Sequence, residues 1–375
     1  IEWRHAFDPS RKLRVGYVSA AFSNHAAAKV FSVVLLHHDP DNFEIHCYST
    51  RRRRDSLTIK IRLAAAGWRS IAGLDDRAAV DVIRNDGIDL LVDLDGHFNR
   101  NRLGLFAMRA APVQLSAWGY VAGPGTPGID YLLTDSIIVP PDEDHCFSEH
   151  LMRVGCAQPY NADLLPRRPA APSSARGGGG IRFGCFNRYD KLNQENLRCW
   201  ADILRACPDA TLTLKDRYIG EARLRNRILD VMARAGVAPA RLRFEGAEPQ
   251  EGFLAAFDRI DLALDPFPVT GGVTSLDGLS QGVPMVTLYG AEPSARIGSS
   301  ILASMKLNQF IAFSKDEYVA KAIELGGAQA SSPSARDTVR ARFESFSNWC
   351  SRDYVRQVEA AYREIWMRTC ARLGD

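Results

Sequence analysis

From Leu13 onward, short apolar runs alternate with longer amphipathic stretches. Leu13–Val18, Phe43–Tyr48, Ile88–Leu94 and Val113–Trp118 are largely apolar, while Ala26–Leu36 and the segment closing at Ala78–Arg84 repeat their apolar positions at helical spacing. Apolar strands separated by helices belong to a parallel sheet covered on both faces, so this region predicts a Rossmann-like unit. The pattern stops between Pro159 and Gly180, where Pro, Ala, Arg, Ser and Gly dominate and Gly177 to Gly180 close the stretch. Such a composition without a period reads as a linker. A phosphate-cradling glycine loop would follow a strand and open a helix, whereas these glycines precede the strand predicted at Ile181–Phe186.

Beyond the linker the alternation restarts. Strands are predicted at Ile181–Phe186, Thr211–Leu214, Arg241–Phe244, Leu262–Leu264 and Met285–Leu288, and helices at Gln194–Ala206, Glu221–Ala235, Gly252–Asp258 and Thr274–Gln281. The stretch from Ser334 to Arg372 is predicted helical, with Trp349, Tyr354, Val358, Tyr362 and Trp366 on one apolar face. The expected fold class is therefore α/β. Two Rossmann-like domains, 1–160 and 181–348, are expected to face a central cleft, joined by the linker 161–180 and followed by a C-terminal helix at 349–375.

The chain has 375 residues, enough for two cores, and its 46% hydrophobic and 24% charged residues exclude a disordered, collagen-like or coiled-coil protein. A net charge of +3 is too small to mark a nucleic-acid surface. The run Arg51 to Arg54 follows a predicted strand and reads as a solvated loop rather than a phosphate site. Eight cysteines show neither a CxxC pair nor a Cys/His ligand spacing, so they read as small buried residues in a reducing compartment. No apolar run approaches the ~20 residues of a membrane span and no signal-peptide core is present, so a cytoplasmic location is expected. The chain starts with Ile and reads as a piece of something longer. All eight histidines lie in the first 150 residues, which predicts different tasks for the two halves.

Four segments carry candidate chemistry. Leu264 to Asp277 runs from a strand end through Gly271 and Gly272 into a helix opening near Thr274, with Val273 at the junction. Small residues, free amides and a positive helix end at the carboxyl edge of a parallel sheet suit a phosphate, although an ordinary turn has the same appearance. Asp277, expected in the first turn, could accept ribose hydroxyls or complement the dipole. Asn187, Arg188 and Lys191 follow the first strand of the second domain, where two cations suit a departing diphosphate or simply pair with Asp190 or Glu195. His25 follows the first strand of the chain, at a strand-to-helix turn that fits an acid/base role or a structural one. Asp93-x-Asp95 resembles a metal-binding DxD, a short pattern that also arises by chance. G-x-G-x-x-G after the first strand, Walker A and G-x-S-x-G are all absent, which removes the main support for a dehydrogenase, a P-loop enzyme or a hydrolase.

Several stretches together resemble the catalytic region of the O-GlcNAc transferase family, the SPINDLY-type glycosyltransferases. They are Leu13–Ser19 with Asn24-His25, Asp86–His97, Ala111–Gln114, Gly119-Tyr120, Ile129–Tyr131 with Thr134-Asp135, Phe186–Arg188 with Lys191, Leu264–Asp277 and Gly282–Leu288. The resemblance runs from about Arg14 to Trp366. It implies a GT-B fold and an inverting, metal-independent transfer, most simply of GlcNAc from UDP-GlcNAc to protein Ser or Thr hydroxyls, without a cofactor. It also implies that Lys191 and Arg188 hold the diphosphate beside Asn187, that Gly272, Val273 and Thr274 offer donors to it with Gly271 permitting close approach, and that Asp277 binds the ribose. His25 and Asp86 match residues linked to proton removal. Partners would be a protein acceptor and a nucleotide sugar, with neither nucleic acid nor membrane, and tetratricopeptide repeats would precede the region in a full-length protein. Gly272 and Val273 replace a histidine and a threonine of animal members, and Gln250 and Phe253 replace a basic residue and a histidine. Transfer of glucose, fucose or a nonulosonic acid, or a catalytically silent nucleotide-sugar-binding module, are the alternatives.

Overall fold

The computed structural model describes residue 3 and residues 7–166, 180–326 and 333–373. The chain divides into two compact units: Ile1–Leu164 with Ser347–Asp375, and Leu165–Phe346. Most of the predicted linker, including Gly177 to Gly179, lies outside the described residues.

In the first unit β1 (Leu13–Ser19), α1 (Ala26–His37), β2 (Phe43–Ser49), α2 (Ser56–Ala64), β3 (Gly67–Ser70), α3 (Asp76–Asn85), β4 (Leu90–Asp93), α4 (Leu103–Ala107), β5 (Val113–Ser116), β6 (Tyr131–Thr134) and β7 (His150–Arg153) follow one another. The seven strands form one parallel sheet in the order β3-β2-β1-β4-β5-β6-β7. Leu13, Val15, Tyr17, Leu90, Leu91 and Val92 are all fully buried, as the apolar runs require of strands covered on both faces. Strands β3, β6 and β7, not anticipated above, are four residues each and mix polar with apolar positions. Such segments have too little periodicity to stand out.

The second unit contains β8 (Arg182–Cys185), α5 (Gln194–Ala206), β9 (Thr211–Lys215), α6 (Ala222–Arg234), β10 (Leu242–Glu245), α7 (Gln250–Ala256), β11 (Leu262–Leu264), α8 (Val273–Ser280), β12 (Met285–Leu288), α9 (Ile297–Ser304), β13 (Ile311–Ala312), α10 (Lys315–Gly326) and most of α11 (Pro333–Trp349). Its sheet is parallel, in the order β10-β9-β8-β11-β12-β13. The core gathers Phe183, Trp200, Leu212, Leu264, Val286 and Tyr318. Both sheets reverse strand order beside their first strand, between β1 and β4 and between β8 and β11, and ligands of doubly wound folds bind outside the carboxyl ends at such points.

The last helix, α12 (Val355–Leu373), follows a π turn at Cys350–Tyr354 and belongs to the first unit. Its predicted apolar face is buried at Tyr354, Val358, Tyr362 and Trp366. Polar bonds fix its seat. Trp118 Nε1 donates to the Tyr354 hydroxyl at 2.7 Å, Glu359 accepts from the Asp39 amide at 2.8 Å, and Trp366 Nε1 donates to the Asp8 carbonyl at 3.0 Å. Among the described residues no helix is long and apolar enough to cross a membrane. All eight cysteines are free; six are buried as expected, but Cys207 is only half-buried and Cys146 is exposed.

Candidate active site

The second unit builds its switch point around Asp265. This residue directly follows β11 and is 1% exposed. Its carboxylate accepts from the Gly271 amide at 2.8 Å and the Thr287 hydroxyl at 2.7 Å, and its carbonyl accepts from the Tyr318 hydroxyl, which in turn accepts from Trp200 Nε1. Burial pushes the Asp265 carboxyl up to about 6, against the pull of those hydrogen bonds and of Lys191. A Cβ on Gly271 would run into the Ser275 hydroxyl and lie 2.8 Å from Asp265 Oδ1, so the turn closes only with glycine at this position. The sequence marks Asp265 merely as a strand end. Its role as the hub of the loop depends on contacts with Thr287 and Tyr318 that no local pattern announces.

The loop delivers the chain into α8 with Gly272 as N-cap and no side-chain cap. The amides of Val273, Thr274 and Ser275 find no acceptor among the described residues. Gly272, Val273 and Thr274 are half-buried, so this positive helix end is open to an anion. Gly271 is not a donor to it, because its amide is committed to Asp265. Asp277 is the fifth residue of α8 rather than part of its first turn, and it is 4% exposed.

Lys191 approaches the same loop from the β8 side. Its Nζ donates to the Thr270 carbonyl at 2.6 Å, leaving two of its three donors for another group. Burial lowers its pKa below the ordinary lysine value, opposed by Asp265 and reinforced by Arg188. Asn187 is buried beside Gly271, while Arg188 is exposed and paired with Asp190 at 2.9 Å. Asn193 caps α5 and, with Asn196, donates to the Phe267 carbonyl, tying the two loops together. A void of about 20 Å³, water-sized, lies under α8. A wider groove of about 380 Å³ opens beside Arg188 and Tyr189 toward Tyr218 and Leu224.

In the first unit His25 caps α1 on the carboxyl side of β1. Its Nδ1 accepts from the Ala27 amide at 3.2 Å, which leaves the ring proton on Nε2. Burial and the positive Arg51 and Arg53 hold its pKa below the ordinary 6.5, so at neutral pH the ring is an uncharged Nε2–H donor. Asp95 accepts from the Ser19 hydroxyl at 2.7 Å and the Ala20 amide at 2.7 Å, bracing the turn that leads to His25, and burial raises it to about 7. Asp93 accepts from the Asp95 and Gly96 amides and from Ser116. The DxD pair is thus taken up with loop bonds, and no group of three or more His, Cys, Asp or Glu side chains able to hold a metal ion occurs among the described residues.

Asp86 lies apart from His25. It is the C-cap of α3, before β4 begins, and its carboxylate accepts from Arg69 at 2.5 Å and from the Tyr48 hydroxyl at 2.9 Å. Its carbonyl meets Arg14, on the amino edge of the sheet, opposite the edge that carries His25. An aspartate held below the usual carboxylate range by Arg69 and Tyr48 is a structural ion pair and a poor proton acceptor.

The chain resembles known proteins over nearly its full length. A probable UDP-N-acetylglucosamine-peptide N-acetylglucosaminyltransferase SPINDLY of Petunia hybrida is 32% identical over 373 residues, which are 98% of this chain and 40% of that protein. The corresponding SEC protein of Arabidopsis thaliana is 27% identical, with 96% and 38% covered. The chain therefore spans about 40% of the length of these curated relatives. An O-GlcNAc transferase variant of Thermobaculum terrenum superimposes with a TM-score of 0.92 at 34% identity, covering 99% of this chain and 70% of that one. Anabaena HepE, solved with UDP and glucose, shares the fold at 10% identity with a TM-score of 0.62. The model of glycosyl transferase family 41 matches residues 2–156 and 177–358. With two parallel doubly wound sheets and a match of this extent, the chain belongs to glycosyl transferase family 41, as its resemblance to the SPINDLY-type O-GlcNAc transferases implied.

Proposed function

We propose that this chain transfers a sugar, GlcNAc from UDP-GlcNAc, to Ser or Thr hydroxyls of protein, with inversion and without a metal ion. One observation carries the reading: Lys191, fixed on the Thr270 carbonyl at 2.6 Å, stands at the loop that opens α8, whose first amides have no acceptor among the described residues. A nucleotide diphosphate leaving the anomeric carbon gains negative charge, and preformed donors aimed at that charge lower the barrier. Lys191 and the amino end of α8 supply them, the task a divalent ion performs elsewhere, and exposed Arg188 adds a second cation. The acceptor oxygen attacks the anomeric carbon from the opposite face as the bond to the diphosphate breaks, and its proton passes to a base. His25, an Nε2–H donor, serves the acceptor side in this scheme. The names of the Petunia and Arabidopsis relatives support UDP-GlcNAc and a peptide acceptor.

The test is transfer of radiolabelled GlcNAc to candidate proteins by wild type and Lys191→Ala, beside calorimetric titration with UDP. Loss of transfer of at least a hundredfold is expected, the range found when one preformed donor to a developing charge is removed. Equal transfer by both proteins would remove Lys191 from the chemistry. Tight binding of GDP- or CMP-sugars in place of UDP would redirect the donor assignment.

A further inference from the structure

The loop after β2 carries a concentration of charge that the transfer scheme does not use. Arg51, Arg52, Arg53 and Arg54 are consecutive, and Arg52 to Arg54 are exposed. Arg53 reaches Asp55 at 3.8 Å, while Arg51, Arg52 and Arg54 form no ion pair among the described residues. Exposed Arg100 joins them, its carbonyl accepting from the Thr50 hydroxyl at 3.3 Å. The adjoining carboxylate, Asp55, is occupied by the amides of Thr58 at 3.0 Å and Asn24 at 2.7 Å.

Those same bonds make the loop part of the His25 turn. Asp55 holds Asn24, the residue before His25, and the Thr58 hydroxyl donates to the Phe22 carbonyl at 2.8 Å. The Ser49 hydroxyl donates to the Arg51 carbonyl at 2.8 Å, fixing where the arginine run leaves the sheet. The positive charge therefore lies on the carboxyl edge of the first sheet, at the end of the strand next to β1, where it adds to burial in depressing His25.

Resting on the transfer reading, we infer that Arg51–Arg54, with Arg100, form a specificity surface that selects acceptor polypeptides carrying Asp or Glu beside the modified hydroxyl. Planar guanidiniums pair with carboxylates through two parallel hydrogen bonds, and a row of them meets an extended acidic segment without a deep pocket. Charge of this kind acts mainly on partner choice and encounter rate.

The experiment compares three Ser peptides differing only in Glu, Gln or Lys at the flanking positions. Two readouts are used: transfer kcat/KM and anisotropy of the fluorescein-labelled peptides. Wild type should favour the Glu peptide over the Gln peptide by roughly threefold to tenfold, as expected for a few exposed ion pairs, and lose the preference near 1 M salt, where screening reaches ~3 Å. Arg52→Gln/Arg54→Gln should bring the ratio toward one, and Arg52→Glu/Arg54→Glu should favour the Lys peptide, with melting temperatures checking that both variants fold. A wild-type ratio of one, or an unaltered ratio in the charge-reversed protein, overturns the inference. Tighter, arginine-dependent binding of labelled oligouridylate or phosphatidylserine vesicles than of the Glu peptide also overturns it. Should no peptide be glycosylated, the transfer reading fails while the anisotropy ratio still decides the arginine surface.

Discussion

Replacing Asp265 by Asn tests whether a buried carboxylate carries the loop that opens α8. The Asn carbonyl can still accept from the Gly271 amide, and its amide can donate to Thr287 Oγ1, so the shape of the hub survives. What disappears is ionisation. Burial raises the Asp265 carboxyl from 3.8 to about 6, so the folded protein holds the proton more tightly than the unfolded chain does. The sign follows from linkage: Asp265 adds stability that is complete below pH ~4 and is lost as pH rises through about 6. The interval corresponds to about 3 kcal/mol at neutral pH. Urea unfolding of both proteins at about pH 4 and about pH 7 measures it, because groups common to both cancel in the difference. The Asn variant should gain about 3 kcal/mol relative to wild type across that range. Stability curves that stay parallel to within about 0.5 kcal/mol would refute a raised, buried carboxylate at this position.

Gly271→Ala should destabilise the second unit by about 1 to 3 kcal/mol and abolish the thermal shift produced by UDP, because the new methyl displaces Ser275 or Asp265. Asp86→Ala should cost about 1 kcal/mol by unpairing Arg69 and leave transfer kcat within about threefold of wild type; a hundredfold loss would restore its role in proton removal. Tyr354→Phe strands buried Trp118 Nε1 and should cost about 1 to 3 kcal/mol in urea unfolding, with UDP affinity unaltered.

Hydrophobic periodicity by itself determined the α/β class and most of the strands, because a strand covered on both faces must be apolar throughout. Helix α5 lies where its period put it, at Gln194–Ala206, and the structure adds Asn193 as its cap. The four-residue strands β3, β6 and β7 carry no clear period, since burial on a sheet flank demands little of so short a segment. Motif order along the chain was likewise enough to indicate the family.

Tertiary structure alone decided which of the marked residues meet. Lys191, Asn187 and the opening of α8 share the carboxyl edge of the second sheet because β8 and β11 are neighbours there, although about 80 residues separate them in sequence. Asp86 and His25, both marked from the sequence, fall on opposite edges of the first sheet, since a helix returning antiparallel to the strands ends at the amino edge. The seat of α12 was also invisible in its own pattern. An apolar stripe states that a helix must be covered, whereas the partners that cover it, Tyr17, Trp118 and His38, are chosen by where distant strands end. Periodicity is a property of neighbouring residues along the chain, and a site is a property of neighbours in space.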